Sequence, residues 1–309
     1  LPYAALVAPG VVLNKDGSFL AAWSFTGQDT AGSTPDELAW VSRQVNNSIK
    51  RLGTGWMLHV DAIRCPHQAY PPVESGYFPD PVTRLIDEER RAFFGSGLCF
   101  KTETVLTLTY KPDLRTTKMQ QSIRTGAAGC SMDRSINDFV ATLTELEDSL
   151  SSVLRMERLA EYEDENGAVF SSLLSHLQRC LIGEHFPVRV PSVPMYLDAV
   201  LGGIDLIGGL QPRVGDQYLT ILAIDGLPHE SWPSMLSTLD GLSLTYRYST
   251  RFICLDQLDG TREINMYSSL FKNDEMEQWP ENIITTLLSI GDAVISTDKN
   301  GLIVIMNPI

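Results

Sequence analysis

Three kinds of residue spacing in this sequence could carry chemistry: paired glycines, acid beside imidazole, and cysteine beside histidine. Gly202-Gly203 and Gly208-Gly209 bracket four residues in the manner of a phosphate cradle. A working phosphate loop needs Gly-Lys-Ser/Thr, because the lysine reaches the outer phosphates and the hydroxyl ligates magnesium. Leu210 follows the second glycine pair instead, and no Gly-Lys pair occurs anywhere in the chain. The glycines therefore read as turns, and no ATP hydrolysis is expected from these residues. Cys65-Pro66-His67, with His59 upstream, offers ligand types but no second pair to close a four-ligand zinc site. Glu184-His185 and His229-Glu230 lack the second histidine one helical turn away that a zinc protease uses. A Gly-x-Ser-x-Gly elbow is also missing, which leaves a serine hydrolase without support. The expectation is that the chain holds no catalytic, cofactor-binding or metal-ligating residues.

One segment is richer. Tyr246-Arg247-Tyr248-Ser249-Thr250-Arg251-Phe252 interleaves aromatics with two arginines four positions apart. On a strand that spacing puts both arginines on one face. Such a face could pair with carboxylates of a partner protein, so Tyr246, Arg247, Tyr248 and Arg251 are the candidate docking residues. The alternative is internal pairing with this chain's own excess acid.

The elements that must position these groups read as a mixture of strands and helices. Val11–Leu13, the turn Asn14–Gly17 and Ser18–Phe25 form a hairpin. Thr34, Pro35 and Glu37 open a helix with a capping box, and Leu38, Val41, Val45, Ile49 and Leu52 continue it until Gly53. A strand from Trp56 to Arg64 follows, then a helix from Asp80-Pro81 to about Phe94. Phe100 to Tyr110 alternates cleanly and predicts a central strand. Arg115 to Met132 lacks periodicity and reads as a loop. A long helix is predicted from Asp133 to Leu159 on the spacing of Ile136, Val140, Leu143, Leu146, Leu150 and Leu154. After the acidic stretch Glu161–Gly167 come a helix over Val169–Leu181, a strand over Phe186–Val190 and a helix near Met195–Leu201. A strand over Tyr218–Ile224, a helix over Ser231–Leu239 and a strand over Leu244–Leu255 complete the order. The fold class is α+β, a mixed α/β chain. In the second half the strand–helix–strand order suggests α/β layers with split ferredoxin-like units.

Composition bounds the function. With 309 residues, 43% apolar and 20% charged, the chain can bury a substantial core. Its formal net charge of −14 disfavours direct contact with nucleic acid, since no dense basic patch offsets it. No run of apolar residues reaches the length of a membrane span; Ile283–Ile305 is interrupted by Asp292, Asp298, Lys299 and Asn300. Cys65, Cys99, Cys130, Cys180 and Cys254 are odd in number and widely spaced, which favours free thiols and a cytoplasmic setting. A start at Leu1 rather than Met suggests a trimmed fragment.

Several stretches, in order, resemble the TrbE branch of the CagE/TrbE/VirB family of conjugal-transfer and type IV secretion ATPases. They are Leu1 to Ser18, Asn46-Asn47 to Gly55-Trp56, Tyr77-Phe78-Pro79-Asp80-Pro81-Val82 through Arg91, Leu106-Thr107-Leu108-Thr109-Tyr110, Pro194 to Asp198, and Tyr246 to Ile253. The resemblance implies an N-terminal α/β domain over residues 1–256, with a break near 160–168. In the family that domain precedes a RecA-like motor, whose ATP-binding residues have no counterpart here. It also implies inner-membrane components of a type IV secretion or conjugation complex as partners. The resulting location is cytoplasmic or peripheral at the inner membrane, and self-association stays open.

After about Leu258 the resemblance stops. Residues 257–281 read as a linker, and 282–309 resemble the start of a PAS sensor domain, with a turn at Asp298-Lys299-Asn300-Gly301 between two strands. About a hundred residues are needed to close a PAS fold, so a truncated hairpin is expected. The alternative function is accordingly a truncated PAS-containing sensory protein.

Overall fold

The computed structural model describes residues 1–29, 32–67, 70–112, 129–193, 195–222, 235–270, 295–297 and 303–306. Its centre is a seven-stranded antiparallel sheet built from β1 (Tyr3–Ala8), β2 (Val11–Asn14), β3 (Phe19–Gly27), β4 (Trp56–Pro66), β5 (Phe100–Tyr110), β6 (Leu154–Arg158) and β13 (Tyr246–Ile253). The strand order is β1-β2-β3-β5-β4-β13, with β6 also paired to β3. Gly17, in the left-handed region at φ 84°, turns β2 into β3, where Asn14 Nδ2 donates to Ser18 Oγ at 2.9 Å.

Pairing and connection together give the topology. β3 and β4 both run antiparallel to β5, which lies between them, so they are parallel to each other. Helix α1 (Pro35–Ile49) joins them. β6 runs antiparallel to β3 and hence parallel to β5, and helix α3 (Gly129–Leu150) joins β5 to β6. The order β6-β3-β5-β4 with two interleaved strand–helix–strand units is a ferredoxin-like arrangement. It falls in the first half of the chain, not in the second half where the strand–helix–strand order was expected.

Each sheet face has its own cover. Phe19, Ala21, Trp23, Leu58, Leu106 and Leu108 face α3, which supplies Phe139, Leu143, Leu146 and Leu150. α1 packs beside α3 through half-buried Val41, Val45 and Ile49. The capping box of α1 forms as its sequence requires: Glu37 N donates to Thr34 Oγ1 at 3.3 Å, and Thr34 N donates to Glu37 Oε2 at 2.7 Å. On the opposite face Val12, Leu20, Ala22 and Val105 meet α4 (Ser172–Ile182) through Leu173, Leu174 and Leu177. Ser171 caps that helix at its start and Gly183, at φ 84°, ends it.

Several segments differ from the sequence expectation. The helix predicted to run to Leu159 ends at Leu150, and Leu154–Arg158 is strand β6. Leu146, Leu150 and Leu154 keep a helical spacing, yet Leu154 and Met156 equally fit one face of a strand. The edge of β3 from Trp23 to Gly27 offers backbone groups that need partners, and pairing with β6 satisfies them. Val169–Ser171 is strand β8, so α4 starts at Ser172. β8 pairs with β7 (Glu161–Glu163) and β9 (Val188–Arg189) around the acidic turn, where Asp164 Oδ1 accepts from Asn166 N and Ala168 N. The helix expected near Met195 is a single 3-10 turn, Leu197–Ala199.

The strand expected from Tyr218 begins as β12 (Gln217–Tyr218), in a small sheet with β10 (Leu206–Ile207) and β11 (Arg213–Val214). Residues 223–234, with the Trp232-Pro233 helix start and His229-Glu230, lie outside the described residues, as does most of the expected loop 115–132.

Helix α2 (Pro81–Gly95), begun where Asp80 accepts from Thr83 N at 2.8 Å, buries none of its residues. The segment before it holds the helix by two contacts, Tyr70 Oη donating to Asp87 at 2.8 Å and the Pro71 carbonyl accepting from Arg91 Nη1 at 2.6 Å, while Arg91 also pairs with Asp87 within the helix at 2.7 Å. Helix α5 (Gln257–Leu270) occupies the first stretch of the expected linker. β14 (Ile295–Thr297) pairs antiparallel with β15 (Ile303–Met306) where the C-terminal hairpin was expected.

Candidate functional site

The α4-covered face of the sheet is apolar at Val12, Leu20, Ala22 and Val105 but turns polar at Thr107 of β5 and toward β4 and β13. Alternation along β4 sends Leu58 and Val60 to the α3 side and His59 and Asp61 to the α4 side. Arg247 of β13 shares that side, its register partner on β4 being Ile63. From above, α4 contributes His176 and Cys180, four residues apart and hence on one helical face.

Asp61 and His176 are each 6% exposed, and Cys180 is half-buried. His176 Nε2 lies 3.8 Å from Asp61 Oδ2 and 3.6 Å from Cys180 Sγ. Among the described residues these three form the one group of acid, imidazole and thiol whose donor atoms all fall within 4.8 Å of one another. Arg247 closes the cluster from β13: its Nε is 3.8 Å from Asp61 Oδ1, and its Nη1 donates to the Cys180 carbonyl at 3.1 Å. The second contact places a cation on the last turn of α4, where carbonyls lack intrahelical donors. Next to the cluster, Arg179 reaches Glu103 at 2.5 Å and Lys101 reaches the other carboxylate oxygen at 2.5 Å.

Burial sets the charge states. It pushes the His176 imidazole down to about 4, against the pull of Asp61 and with help from Arg247 and Arg179. It pushes the Cys180 thiol up to about 11, and the Tyr3 phenol of β1 to about 12. His59 is likewise lowered, first by burial. At neutral pH the imidazole and the thiol beside Asp61 are thus uncharged. The 3.8 Å contact of His176 with Asp61 is then a polar approach, longer than a hydrogen bond.

Of the docking candidates, Arg247 turns onto Asp61 and Cys180, the internal pairing the sequence offers as the alternative. Tyr246, Tyr248 and Arg251 are half-buried along the same strand. Among the described residues Cys65 joins no ligand group; its thiol faces the Lys101 carbonyl at 3.8 Å. Glu184 and His185 are exposed after α4. The glycine pairs sit in turns: Gly202 exchanges two hydrogen bonds with the Gln178 side chain at 2.7 and 2.9 Å, and Gly208-Gly209 lie between β10 and β11. Sequence reasoning missed Asp61, His176 and Cys180. The available signal was the four-residue spacing of His176 and Cys180 on an expected helix.

Comparison with known proteins fixes the family. Residues 10–118 match the model of the type IV secretion system ATPase VirB4/TrbE, N-terminal domain. The first of two pieces of a probable conjugal transfer protein TrbE from Sinorhizobium fredii is 47% identical over 123 residues, covering 83% of that relative and 39% of this chain. The chain belongs to the VirB4/TrbE family. Conjugal transfer protein TrbE of Rhizobium radiobacter is 41% identical over 266 residues, 83% of this chain and 32% of that protein. The type IV secretion system protein virB4 of Brucella suis is 24% identical over 293 residues, 89% of this chain and 34% of its own length. The chain thus spans about a third of the longer VirB4/TrbE relatives it matches. Among the described residues no helix is long and apolar enough to cross a membrane.

Proposed function

We propose that these 309 residues act as the N-terminal docking module of a conjugal-transfer, type IV secretion machine, and do not themselves turn over ATP. The observation that carries this reading is the family match, which falls on the N-terminal domain of proteins named for conjugal transfer. The lack of any Gly-Lys pair in the sequence supports the second half. The module works on the cytoplasmic side of the inner membrane, against the membrane-embedded subunits of the same machine.

Its docking surface is the outer edge of β13. Among the described residues β13 pairs with β4 on one side and with no strand on the other. An eight-residue edge strand offers a row of backbone donors and acceptors to an incoming segment. Tyr246, Tyr248 and Arg251 flank that row, with Arg247 holding the strand onto α4.

The test is co-purification. The purified chain is immobilised and exposed to detergent-extracted inner membranes from cells carrying the cognate conjugation genes. Recovery of membrane-complex subunits is expected, and Tyr246→Ala/Tyr248→Ala should reduce it. Failure to recover any of those subunits, or release of phosphate from ATP by the purified chain, would overturn the reading.

A further inference from the structure

We propose that Asp61, His176 and Cys180 form a binding site for a divalent ion of zinc's chemistry. The site stands on this chain's own geometry and does not depend on the docking role.

The donor set is one carboxylate oxygen, one imidazole nitrogen and one sulfur, the ligand classes that zinc and its substitute cobalt accept together. Spacing agrees with a tetrahedron. Zinc bonds of about 2.0–2.3 Å place neighbouring ligand atoms roughly 3.3–3.6 Å apart. The imidazole nitrogen lies 3.6 Å from the sulfur and 3.8 Å from the carboxylate oxygen, and all three donor atoms fall within 4.8 Å of one another, so the set closes on an ion by contracting. His176 and Cys180 supply two ligands from one helical face, the chelating spacing familiar from helical zinc sites.

Without a cation these atoms satisfy one another poorly. His176 Nε2 faces both the Asp61 oxygen and the Cys180 sulfur. If it accepts the thiol proton at 3.6 Å it has no hydrogen to offer Asp61, whose oxygen at 3.8 Å already lies beyond hydrogen-bond reach. A divalent ion resolves the conflict by bonding all three, and the Cys180 thiol proton leaves to solvent. Two anionic ligands then balance the ion's charge. Arg247 stays on the other Asp61 oxygen, where it orients the carboxylate from outside the coordination sphere. Two of the ligands sit on α4 and the third in the middle of β4, which pairs along its whole length with β5. Three protein ligands leave a fourth position for solvent, and half-buried Cys180 gives the entry side.

The test uses the whole chain, stripped with chelator and titrated with Co²⁺ alone. One bound ion per chain is expected, with a thiolate-to-cobalt charge-transfer band and the visible bands of a four-coordinate ion, both abolished by Zn²⁺ competition. Cys180→Ser should remove the charge-transfer band, and Asp61→Asn should weaken binding at least about 10-fold while circular dichroism reports an intact fold. Cys65→Ser should leave both signals unchanged. Absence of the bands in the unsubstituted chain, or their survival in Cys180→Ser, would overturn the proposal. Should Cys180→Ser fail to fold, the Asp61→Asn and Cys65→Ser pair decides: loss in Cys65→Ser, or no change in Asp61→Asn, would overturn it equally.

Discussion

Arg247, on the last strand of the central sheet, donates to the backbone carbonyl of Cys180 in the final turn of α4 at 3.1 Å. This one contact ties the sheet's outer edge to the helix covering its second face. Arg247→Ala should destabilise the fold by about 1 kcal/mol, a modest value because the side chain is 41% exposed and solvent screens its approach to Asp61. Urea unfolding checks it. A loss above about 3 kcal/mol would mean that the cation is not screened as its exposure implies.

On the other face, Glu147 of α3 receives two donors. The indole of fully buried Trp23 and the guanidinium of Arg158 both donate to its Oε1, the latter at 2.7 Å. Glu147→Ala leaves a buried N–H without an acceptor and should lower stability by about 2–3 kcal/mol. Glu147→Gln keeps an acceptor oxygen and should lose about half as much. Denaturant midpoints at unchanged m-value would measure both.

Glu103 gives the fold an acid-sensitive pair. Burial alone would raise its carboxyl, but hydrogen bonds from Lys101 and Arg179 together outweigh burial and hold it below its ordinary 4.5. The folded state therefore binds this proton less readily than the unfolded chain. Its contribution is present above about pH 4.5 and is lost as pH falls through the lower folded value. Glu103→Gln should flatten the stability–pH curve below about pH 4.5 and leave its shape near neutrality unchanged. Thermal melts across that range would show it, and an unchanged acid limb would contradict the assignment.

Gly10 joins β1 to β2 at φ 66°, and a Cβ there would stand 2.9 Å from the Leu159 carbonyl oxygen. Its N–H donates to the Glu161 carboxylate at 3.0 Å, so the backbone cannot move away without losing that bond. Gly10→Ala should destabilise by about 1–3 kcal/mol. Gly17→Ala has the same left-handed backbone but open space around it, and should lose less. Equal losses at the two positions would show that backbone strain, not the close approach, sets the penalty.

The sequence by itself determined what depends on a few neighbouring residues. The capping box at Thr34 and Glu37, the turn between β2 and β3, the alternation of β5 and the strand Tyr246–Ile253 all rest on hydrogen bonds or side-chain periods closed within a short stretch. The family was legible too, because ordered short matches survive without knowledge of the fold. Tertiary structure decided the rest. Leu154–Arg158 carries a spacing compatible with either helix or strand, and only the open edge of β3 selects the strand. Asp61, His176 and Cys180 lie far apart in the chain, on elements that are each ordinary alone. They meet because alternation along β4 and the helical period of α4 aim them at the same space, a coincidence of two periods that exists only once α4 lies across the sheet.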